Sequence, residues 1–193
     1  MIVIIDYGMG NLRSVEKALE KVGATVNVTR DPDEVRRADA VVLPGVGAFG
    51  DAMNNLQKRG LVDVIRDEVR SGKPFLGICL GLDLLFEESD EYGQHRGLGL
   101  LPGRVELLPT DQKIPHIGWN QAFIQKESRL LAGVPDGSFF YFVHSYAVVP
   151  QREADILCIT EYGCRFVSAV EHENIAAFQF HPEKSSSIGL NIL

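Results

Sequence analysis

The chain has 193 residues, 45% of them hydrophobic and 23% charged, as is typical of one globular domain with a substantial core. Its net charge of −7 and its lack of any Lys/Arg cluster argue against nucleic acid or an anionic membrane surface as the main partner. The start MIVIID is too short and too acidic for a signal peptide, and no apolar run is long enough to cross a bilayer. The length and the lack of a linker lead us to expect a single domain, residues 1–193. Because three cysteines are an unpromising disulfide set, we expect this domain in the reducing cytoplasm.

The first half of the chain alternates short apolar strands with helical patterns. The predicted elements are a strand at 2–5, a helix at 11–22, a strand at 25–29, a helical turn from 31, a strand at 40–43, helices at 52–58 and 61–70, and a strand at 75–78. This alternation is typical of a parallel sheet. Gly8-Met9-Gly10 resembles part of a dinucleotide fingerprint, but the third glycine and its acidic residue are out of register, so nucleotide binding is not favoured.

A glycine-rich loop follows the third strand. The sequence PGVGAFGDAM, Pro44 to Met53, places three glycines just before a helix and leaves backbone N–H groups unpaired. In a parallel sheet this loop emerges at the carboxyl ends of the strands, where ligand crevices form. The glycines either merely permit unusual backbone angles or supply amides to an anion; we favour the second because a comparable loop is predicted beside it.

That neighbouring loop contains the sequence GICLG. Phe75 to Ile78 predict a strand and Leu80 to Glu88 a helix, so Cys79 stands at the corner between them. Gly77 and Gly81 suit a nucleophile elbow, where strand and helix approach too closely for a Cβ. The amides that open the helix would favour a thiolate. Taken alone, the pattern suits a small apolar cysteine in a buried strand equally well.

The second half is rich in strands. Its predicted strands are 105–108, 121–124, 138–143, 146–149, 156–160, 166–170 and 175–180. We therefore expect an α/β fold: a three-layer domain with a central mixed, mostly parallel sheet flanked by helices, and a strand-rich second half.

Four residues of this half can be interpreted as structural, although for one of them, Trp119, an interface role is equally compatible. The segment KIPHIGWN, 113–120, shows no strand period, and its Trp119 either packs over the core edge or anchors an interface. His144 is interpreted as a hydrogen-bonded strand histidine. Cys158 and Cys164 flank a predicted turn and are expected to be reduced thiols.

A second candidate catalytic element follows the last strand. Pro182 restricts the backbone around it, so His181 and Glu183, two residues apart, can project to the same side. A carboxylate can then hold one imidazole nitrogen and leave the other free to serve a nucleophile. The cysteine corner, the glycine-rich loop and this pair occur together, which favours a Cys-His-Glu relay over three motifs without a shared function.

The chain resembles a known family at this point. The segments DYGMGN, PGVGAFGDAM, GICLG, RGLGLLPG, PHIGWN, YFVHSY and FQFHPEKSS occur in the order and spacing of the class I, triad-type glutamine amidotransferases. Within that family the combination is similar to the glutaminase subunits of imidazole glycerol phosphate synthases. The resemblance implies hydrolysis of L-glutamine to glutamate and ammonia, with the ammonia passed to a (β/α)8-barrel cyclase, the synthase subunit, in a heterodimer of histidine biosynthesis. It implies no metal and no organic cofactor.

The resemblance also implies roles for residues. The catalytic triad would be Cys79, His181 and Glu183. The oxyanion hole would use backbone amides of Val46, Gly47 and Leu80. The glutamine pocket would be lined by Gly45, Gly47, Asp83, Ser145 and Tyr146, and the partner interface would include Asn11, Pro115, His116, Trp119 and Lys184.

One position departs from the family pattern. Asp83 stands where the family usually has glutamine, four residues after the nucleophile and therefore on the same helical face. An ionised carboxylate there would disfavour a thiolate and could not donate a hydrogen bond. We therefore expect the triad to survive and glutamine turnover to be weakened. Two alternatives follow: a catalytically weakened regulatory or structural partner of the cyclase, and a stand-alone cysteine hydrolase.

Overall fold

The structure, a computed structural model, describes residues 1–193 and contains thirteen strands and six α-helices. The strands are β1 (Ile2–Ile5), β2 (Val26–Thr29), β3 (Ala40–Gly45), β4 (Phe75–Cys79), β5 (Glu88–Ser89), β6 (His95–Arg96), β7 (Gly103–Leu107), β8 (His116–Ile124), β9 (Ser138–His144), β10 (Tyr146–Pro150), β11 (Ile156–Glu161), β12 (Arg165–His172) and β13 (Ile175–Phe178). The helices are α1 (Leu12–Lys21), α2 (Pro32–Arg37), α3 (Phe49–Lys58), α4 (Leu61–Arg70), α5 (Leu80–Asp83) and α6 (Ser186–Leu190). None of these helices is long and apolar enough to span a bilayer.

The centre of the molecule is a parallel sheet in the order β2-β1-β3-β4-β13. Side chains alternate across it, as strand geometry requires. Val3 and Ile5 of β1 belong to the core beneath α2, α3 and α4, whereas Ile4 belongs to a smaller core with Val15 and Leu19 of α1. Helices therefore cover both faces, and the predicted three-layer arrangement is confirmed.

The second half extends this sheet with antiparallel strands. β12 pairs with β13, the order continues through β10, β7, β5 and β6, and a branch from β12 runs through β11 and β8 to β9. A second core lies under the branch, where the rings of Phe140 and Phe180 stack at 4.1 Å. The predicted mixed sheet with a strand-rich second half is confirmed. Cys158 and Cys164 are free thiols, as expected.

The helix after Cys79 is shorter than predicted, because α5 ends at Asp83 rather than near Glu88. The reason is long-range. A helix that continued to Glu88 would need the Leu84 carbonyl oxygen as its last acceptor, but that oxygen accepts from the Leu98 amide at 2.8 Å, and the Glu87 carbonyl oxygen beside it accepts from the Gly97 amide at 2.8 Å. A leucine-rich run that looked like a helix is thus buried as irregular chain beneath a later segment.

Two loops also differ from expectation. The glycine-rich loop is reduced to Val46–Ala48, because β3 continues through Gly45 and α3 already begins at Phe49. The segment around PHIGWN is not irregular: it forms most of β8, paired antiparallel with β9. Its strand period is masked because the outward residues, Ile117 and Trp119, are apolar although exposed.

Candidate functional site

Cys79 occupies a strained corner between β4 and α5. Its backbone has φ 54 and ψ −113, a conformation that residues with a side chain rarely adopt. A Cβ built on Gly81 would lie 1.8 Å from the carbonyl oxygen of Leu43, and one on Gly77 would lie 2.7 Å from the carbonyl oxygen of Gly81. The close approach expected on both sides of the cysteine is therefore present.

The sheet brings the other two predicted elements to this corner. β4 lies between β3 and β13, with Gly45 in register with Cys79 and Phe178 in register with Ile78. All three strands are parallel, so the glycine-rich turn after β3 and the His181 segment after β13 emerge on either side of the cysteine. Elements about 35 and 100 residues away along the chain thus meet at one edge of the sheet.

The Cys79 thiol is buried in surroundings that favour its protonated form. It is 5% exposed and donates a long hydrogen bond to the carbonyl oxygen of Val143 at 3.8 Å. Burial, and after it the nearby Asp83 carboxyl, raise the pKa of the Cys79 thiol to about 12. The Leu80 amide lowers that pKa, but by less than burial raises it. The helix amide thus favours the thiolate, as expected, but burial outweighs its effect.

His181 and Glu183 form a buried pair. His181 precedes a 3-10 turn, Pro182–Lys184, which directs its Nδ1 to Glu183 Oε1 at 2.8 Å. Their side chains are only 4% and 1% exposed. A carboxylate accepts this hydrogen bond, so Nδ1 carries the proton, and the buried Nε2 has no partner in the protein. Nε2 is therefore the imidazole nitrogen that is left to exchange a proton with a neighbouring group.

Ser185 fixes the backbone of this pair. Its hydroxyl donates to the carbonyl oxygen of His181 at 2.7 Å and accepts from the amide of Tyr141 at 3.0 Å. The His181 amide in turn donates to the carbonyl oxygen of Tyr141 at 2.9 Å. These hydrogen bonds fix the segment after β13 against β9. The position of the imidazole therefore depends on the packing of these two elements as well as on the local turn.

The turn after β3 presents free amides. Neither Val46 nor Gly47 donates a backbone hydrogen bond, and Gly47 has φ +107. A Cβ on Gly45 would lie 2.1 Å from the hydroxyl of Tyr7 and 3.0 Å from Leu80 Cβ, so the turn starts directly against α5. Two unpaired amides beside the cysteine corner are the donors that an oxyanion requires.

A cavity of about 230 Å³ opens beside the cysteine. It is lined by Val46, Gly47, Cys79, Leu80, Asp83, Glu91, Pro115, Val143, His144, Ser145 and Tyr146. The predicted pocket residues Gly47, Asp83, Ser145 and Tyr146 thus line one cavity, whereas Gly45 is not among its lining residues. The predicted interface residue Pro115 also reaches this cavity.

A chain of neutral groups connects the cavity to β8. His144 Nδ1 donates to the Tyr146 carbonyl at 2.8 Å, so its Nε2 accepts from His116 Nδ1 at 2.9 Å. His116 Nε2 then accepts from the Asn120 amide at 3.3 Å, and that amide also donates to the carbonyl oxygen of Glu161. Burial lowers the pKa of His144 to about 3 and that of His116 to about 4. The interpretation of His144 as a hydrogen-bonded strand histidine is confirmed.

The predicted interface residues differ in accessibility. His116 is 3% exposed and stacks on Tyr162, so its ring faces the interior of this chain rather than the surface. Trp119 is 53% exposed and packs edge-on against Tyr141, over whose ring the Lys184 ammonium lies at 5.8 Å. Asn11 is the N-cap of α1 and accepts from the Ser14 amide at 3.3 Å.

Sequence reasoning missed three polar residues at this site, two of them fully buried. Gln179 and Tyr7 are both 0% exposed, and their side-chain polar atoms have no hydrogen-bond partner. Glu91 accepts the amide of Phe49 at 2.6 Å and so holds the start of α3. Gln179 carried a usable signal, because it is the one polar residue in the apolar run before His181. Tyr7 and Glu91 had no such signal. The fold, the strained cysteine corner and the buried His–Glu pair define the class of this chain as an α/β protein with a candidate cysteine-dependent active site.

Comparison with known proteins gives the particular family. The family model described as glutamine amidotransferase class-I matches residues 3–191. The chain is 62% identical over 192 residues to the imidazole glycerol phosphate synthase subunit HisH of Aquifex aeolicus, covering 99% of this chain and 93% of that protein. It is 55% identical to the subunit of the same name from Moorella thermoacetica, covering 100% of this chain and 91% of that one. The chain therefore belongs to the class-I glutamine amidotransferases.

Solved structures support the fold independently. A crystal structure described as glutamine amidotransferase superposes with a TM-score of 0.78 at 20% identity, covering 98% of this chain and 95% of that one. The PurLQS structure from Thermotoga maritima gives a TM-score of 0.75 at 17% identity, with coverage of 99% and 94%. Identities this low show a shared architecture and carry no assignment of substrate.

Proposed function

We propose that this chain is the glutaminase subunit of an imidazole glycerol phosphate synthase. It hydrolyses L-glutamine to glutamate and ammonia and supplies the ammonia to a (β/α)8-barrel cyclase in a cytoplasmic heterodimer of histidine biosynthesis. The observation that carries this proposal is the 62% identity, over 99% of the chain, to a synthase subunit. We also treat residues 1–193 as one domain, because a single sheet runs through both halves.

The first half-reaction forms a thioester. His181 Nε2 takes the Cys79 proton, and the sulfur attacks the amide carbon of glutamine. The carbonyl oxygen becomes an oxyanion and is stabilised by the Leu80 amide and by Val46 or Gly47; one such donor typically contributes about 3 kcal/mol. His181 returns the proton to the nitrogen, the C–N bond breaks, and ammonia leaves.

The second half-reaction restores the enzyme. His181 takes a proton from water, whose oxygen attacks the thioester carbon through a second oxyanion. The C–S bond breaks, Cys79 regains the proton, and glutamate leaves. Glu183 holds Nδ1 throughout and stabilises the imidazolium that forms in each half, as the 2.8 Å contact allows.

The resting geometry supports dependence on a partner. A thiol whose pKa is raised to about 12 contains little thiolate near neutral pH, so the proton transfer to His181 must be assisted. The thiol is held by the Val143 carbonyl, and Val143 pairs with Ile117 of β8. A partner that moves β8 and β9 slightly would therefore act directly on the nucleophile.

We assign the partner surface to an apolar stripe on these two strands. The stripe consists of Ile117, Trp119 and Phe123 on β8 and Phe139 on β9, with exposures from 37% to 60%. Side chains this large and apolar seldom lie together on the surface of a protein that works alone. Lys184 and Tyr141 adjoin the stripe at Trp119, and Asn11 lies at the start of α1, which packs on the same 3-10 turn.

The alternative of a regulatory partner without efficient glutaminase chemistry is not favoured. It rested on Asp83 alone, whereas the buried His181–Glu183 pair and the strained Cys79 corner support a catalytic role.

Glutamate release tests the proposal. It should be measured for the chain alone, with the cyclase, and with the cyclase plus its nucleotide ligand. We expect strong release only in the last mixture and none with Cys79→Ala. Equal, strong release without the cyclase would instead support a stand-alone cysteine hydrolase, and no release in any mixture would overturn the proposed function.

A further inference from the structure

Asp83 is a buried acid beside the nucleophile without the partners an ionised acid needs. It is 6% exposed and lines the cavity next to Cys79. Its Oδ1 is sealed from solvent and accepts no hydrogen bond. A buried carboxylate ordinarily accepts several hydrogen bonds or pairs with a cation, because an isolated buried charge is costly. The Asp83 site meets neither condition.

The groups that face Asp83 come from every element around it. Cys79 precedes α5, the Tyr7 hydroxyl lies beyond the end of β1, Glu91 follows β5, and Gln179 follows β13. Across the cavity stand Tyr146 of β10 and the neutral His144. His181 and Glu183 lie beyond Gln179 as a closed pair. None of the residues that face Asp83 or line the cavity is a lysine or an arginine.

These surroundings disfavour the charged form. Burial, followed by the charge of Glu91, raises the pKa of the Asp83 carboxyl well above its usual range. The unpartnered amide of Gln179 counters this effect only in part. A neutral carboxylic acid gains an O–H donor that a carboxylate lacks. In this form Asp83 places no negative charge beside the sulfur, so burial, rather than the Asp83 charge that would otherwise also raise the pKa of Cys79, is what chiefly opposes loss of the Cys79 proton.

We propose that Asp83 is held as a neutral carboxylic acid and that its O–H donates a hydrogen bond to an oxygen of the bound glutamine. The acid thereby supplies, through oxygen, the donor that a carboxamide would supply through nitrogen. This inference rests on the proposed function for its substrate, but the protonation state of Asp83 does not. It revises the sequence-based expectation that an ionised acid weakens the site.

The protonation state is tested first, without glutamine or cyclase. An infrared difference spectrum between the wild-type chain and Asp83→Asn at pH 7 should contain the carbonyl stretching band of a neutral carboxylic acid. Bands of a carboxylate alone would overturn the proposal. Because no turnover is involved, this result stands even if the chain hydrolyses no glutamine, an outcome that would refute the proposed function separately.

The donor role is tested by two variants of matched shape, assayed with the cyclase and its ligand. Asp83→Asn retains a neutral donor, and Asp83→Leu retains only the shape. We expect Asp83→Asn to raise the KM for glutamine no more than about threefold and Asp83→Leu to raise it at least about tenfold, with similar kcat values. Equal losses in both variants would indicate an ionised carboxylate that binds the substrate's ammonium group. Wild-type KM in both would show that Asp83 does not touch substrate. Either result overturns the proposal, and melting curves establish that both variants are folded.

Discussion

Replacing Gly81 by alanine should disable the site by moving its backbone. The added Cβ would lie 1.8 Å from the carbonyl oxygen of Leu43, whereas Cβ contacts below 3.0 Å essentially never occur. The end of β3 and the start of α5 must therefore separate by at least about 1.2 Å. Overpacking of this kind typically costs about 1–3 kcal/mol, and each kcal/mol lowers the melting temperature by roughly 2–4 °C in a chain of this size.

The effect on activity should exceed the effect on stability. The displaced segment contains Cys79 and the Leu80 amide, and a misplacement of about 1 Å at a reacting centre can reduce the rate about 100-fold. The assay is kcat/KM for glutamate release with the cyclase, together with calorimetric melting. Gly72→Ala is the control, because its Cβ meets nothing within 4 Å although φ is +93. It should lose about 1–2 kcal/mol through backbone strain and retain its activity. Wild-type kcat/KM in Gly81→Ala, or an equal loss in Gly72→Ala, would refute the reasoning.

Three further predictions follow from the site and its surroundings. Glu183→Gln should lower kcat about 10²- to 10⁴-fold with a smaller change in KM, because the imidazolium of His181 loses its counter-charge. The control is Glu173→Gln, since Glu173 is exposed. A loss of kcat below threefold in Glu183→Gln would contradict the role of Glu183. Trp119→Ala should weaken binding of the cyclase about tenfold or more in a calorimetric titration. Val22 is similarly exposed but lies outside the apolar stripe, so Val22→Ala should bind the cyclase as the wild type does. Unchanged affinity of Trp119→Ala for the cyclase would exclude the apolar stripe as the docking surface. The free energy of unfolding should decrease as the pH is lowered below about 6.5. In the folded state the pKa values of His144 and His116 are lowered to about 3 and 4, so between these values and about 6.5 only the unfolded chain binds protons at these residues. Each contributes at most about 1.4 kcal/mol per pH unit down to its folded pKa. Denaturant titrations of His144→Asn should show a shallower slope between pH 6.5 and 4.5, and an unchanged slope would count against the buried neutral pair.

Local requirements made much of the site predictable. A nucleophile elbow needs small residues two positions before and after the cysteine, and Gly77 and Gly81 satisfy that need within five residues of sequence. Pro182 restricts its neighbours in the same local way, so the projection of His181 and Glu183 to one side could be argued without a structure. The alternation of strands and helices gave the parallel half of the sheet for similar reasons.

Features that depend on long-range contacts were not predictable. The end of α5 depends on a distant segment, because the Leu98 amide donates to the Leu84 carbonyl oxygen that a longer helix would use. The burial of His116 depends on β9 and on Tyr162, both distant in sequence. The environment of Asp83 depends on Gln179, which reaches it only because β13 pairs with β4. A charge at position 83 was visible in the sequence, but whether that residue carries the charge depends on the fold.

The central claim is that Cys79 forms a covalent bond to glutamine's acyl group under the control of a cyclase partner. Acid quenching of the chain during turnover with glutamine, cyclase and cyclase ligand, followed by peptide mass spectrometry, tests it directly. We predict a mass increase of one glutamyl group on the peptide that contains Cys79, absent without the cyclase. An adduct on Cys158 or Cys164 instead, or sustained glutamate release with no adduct at Cys79 in wild type and undiminished release in Cys79→Ala, would contradict the account.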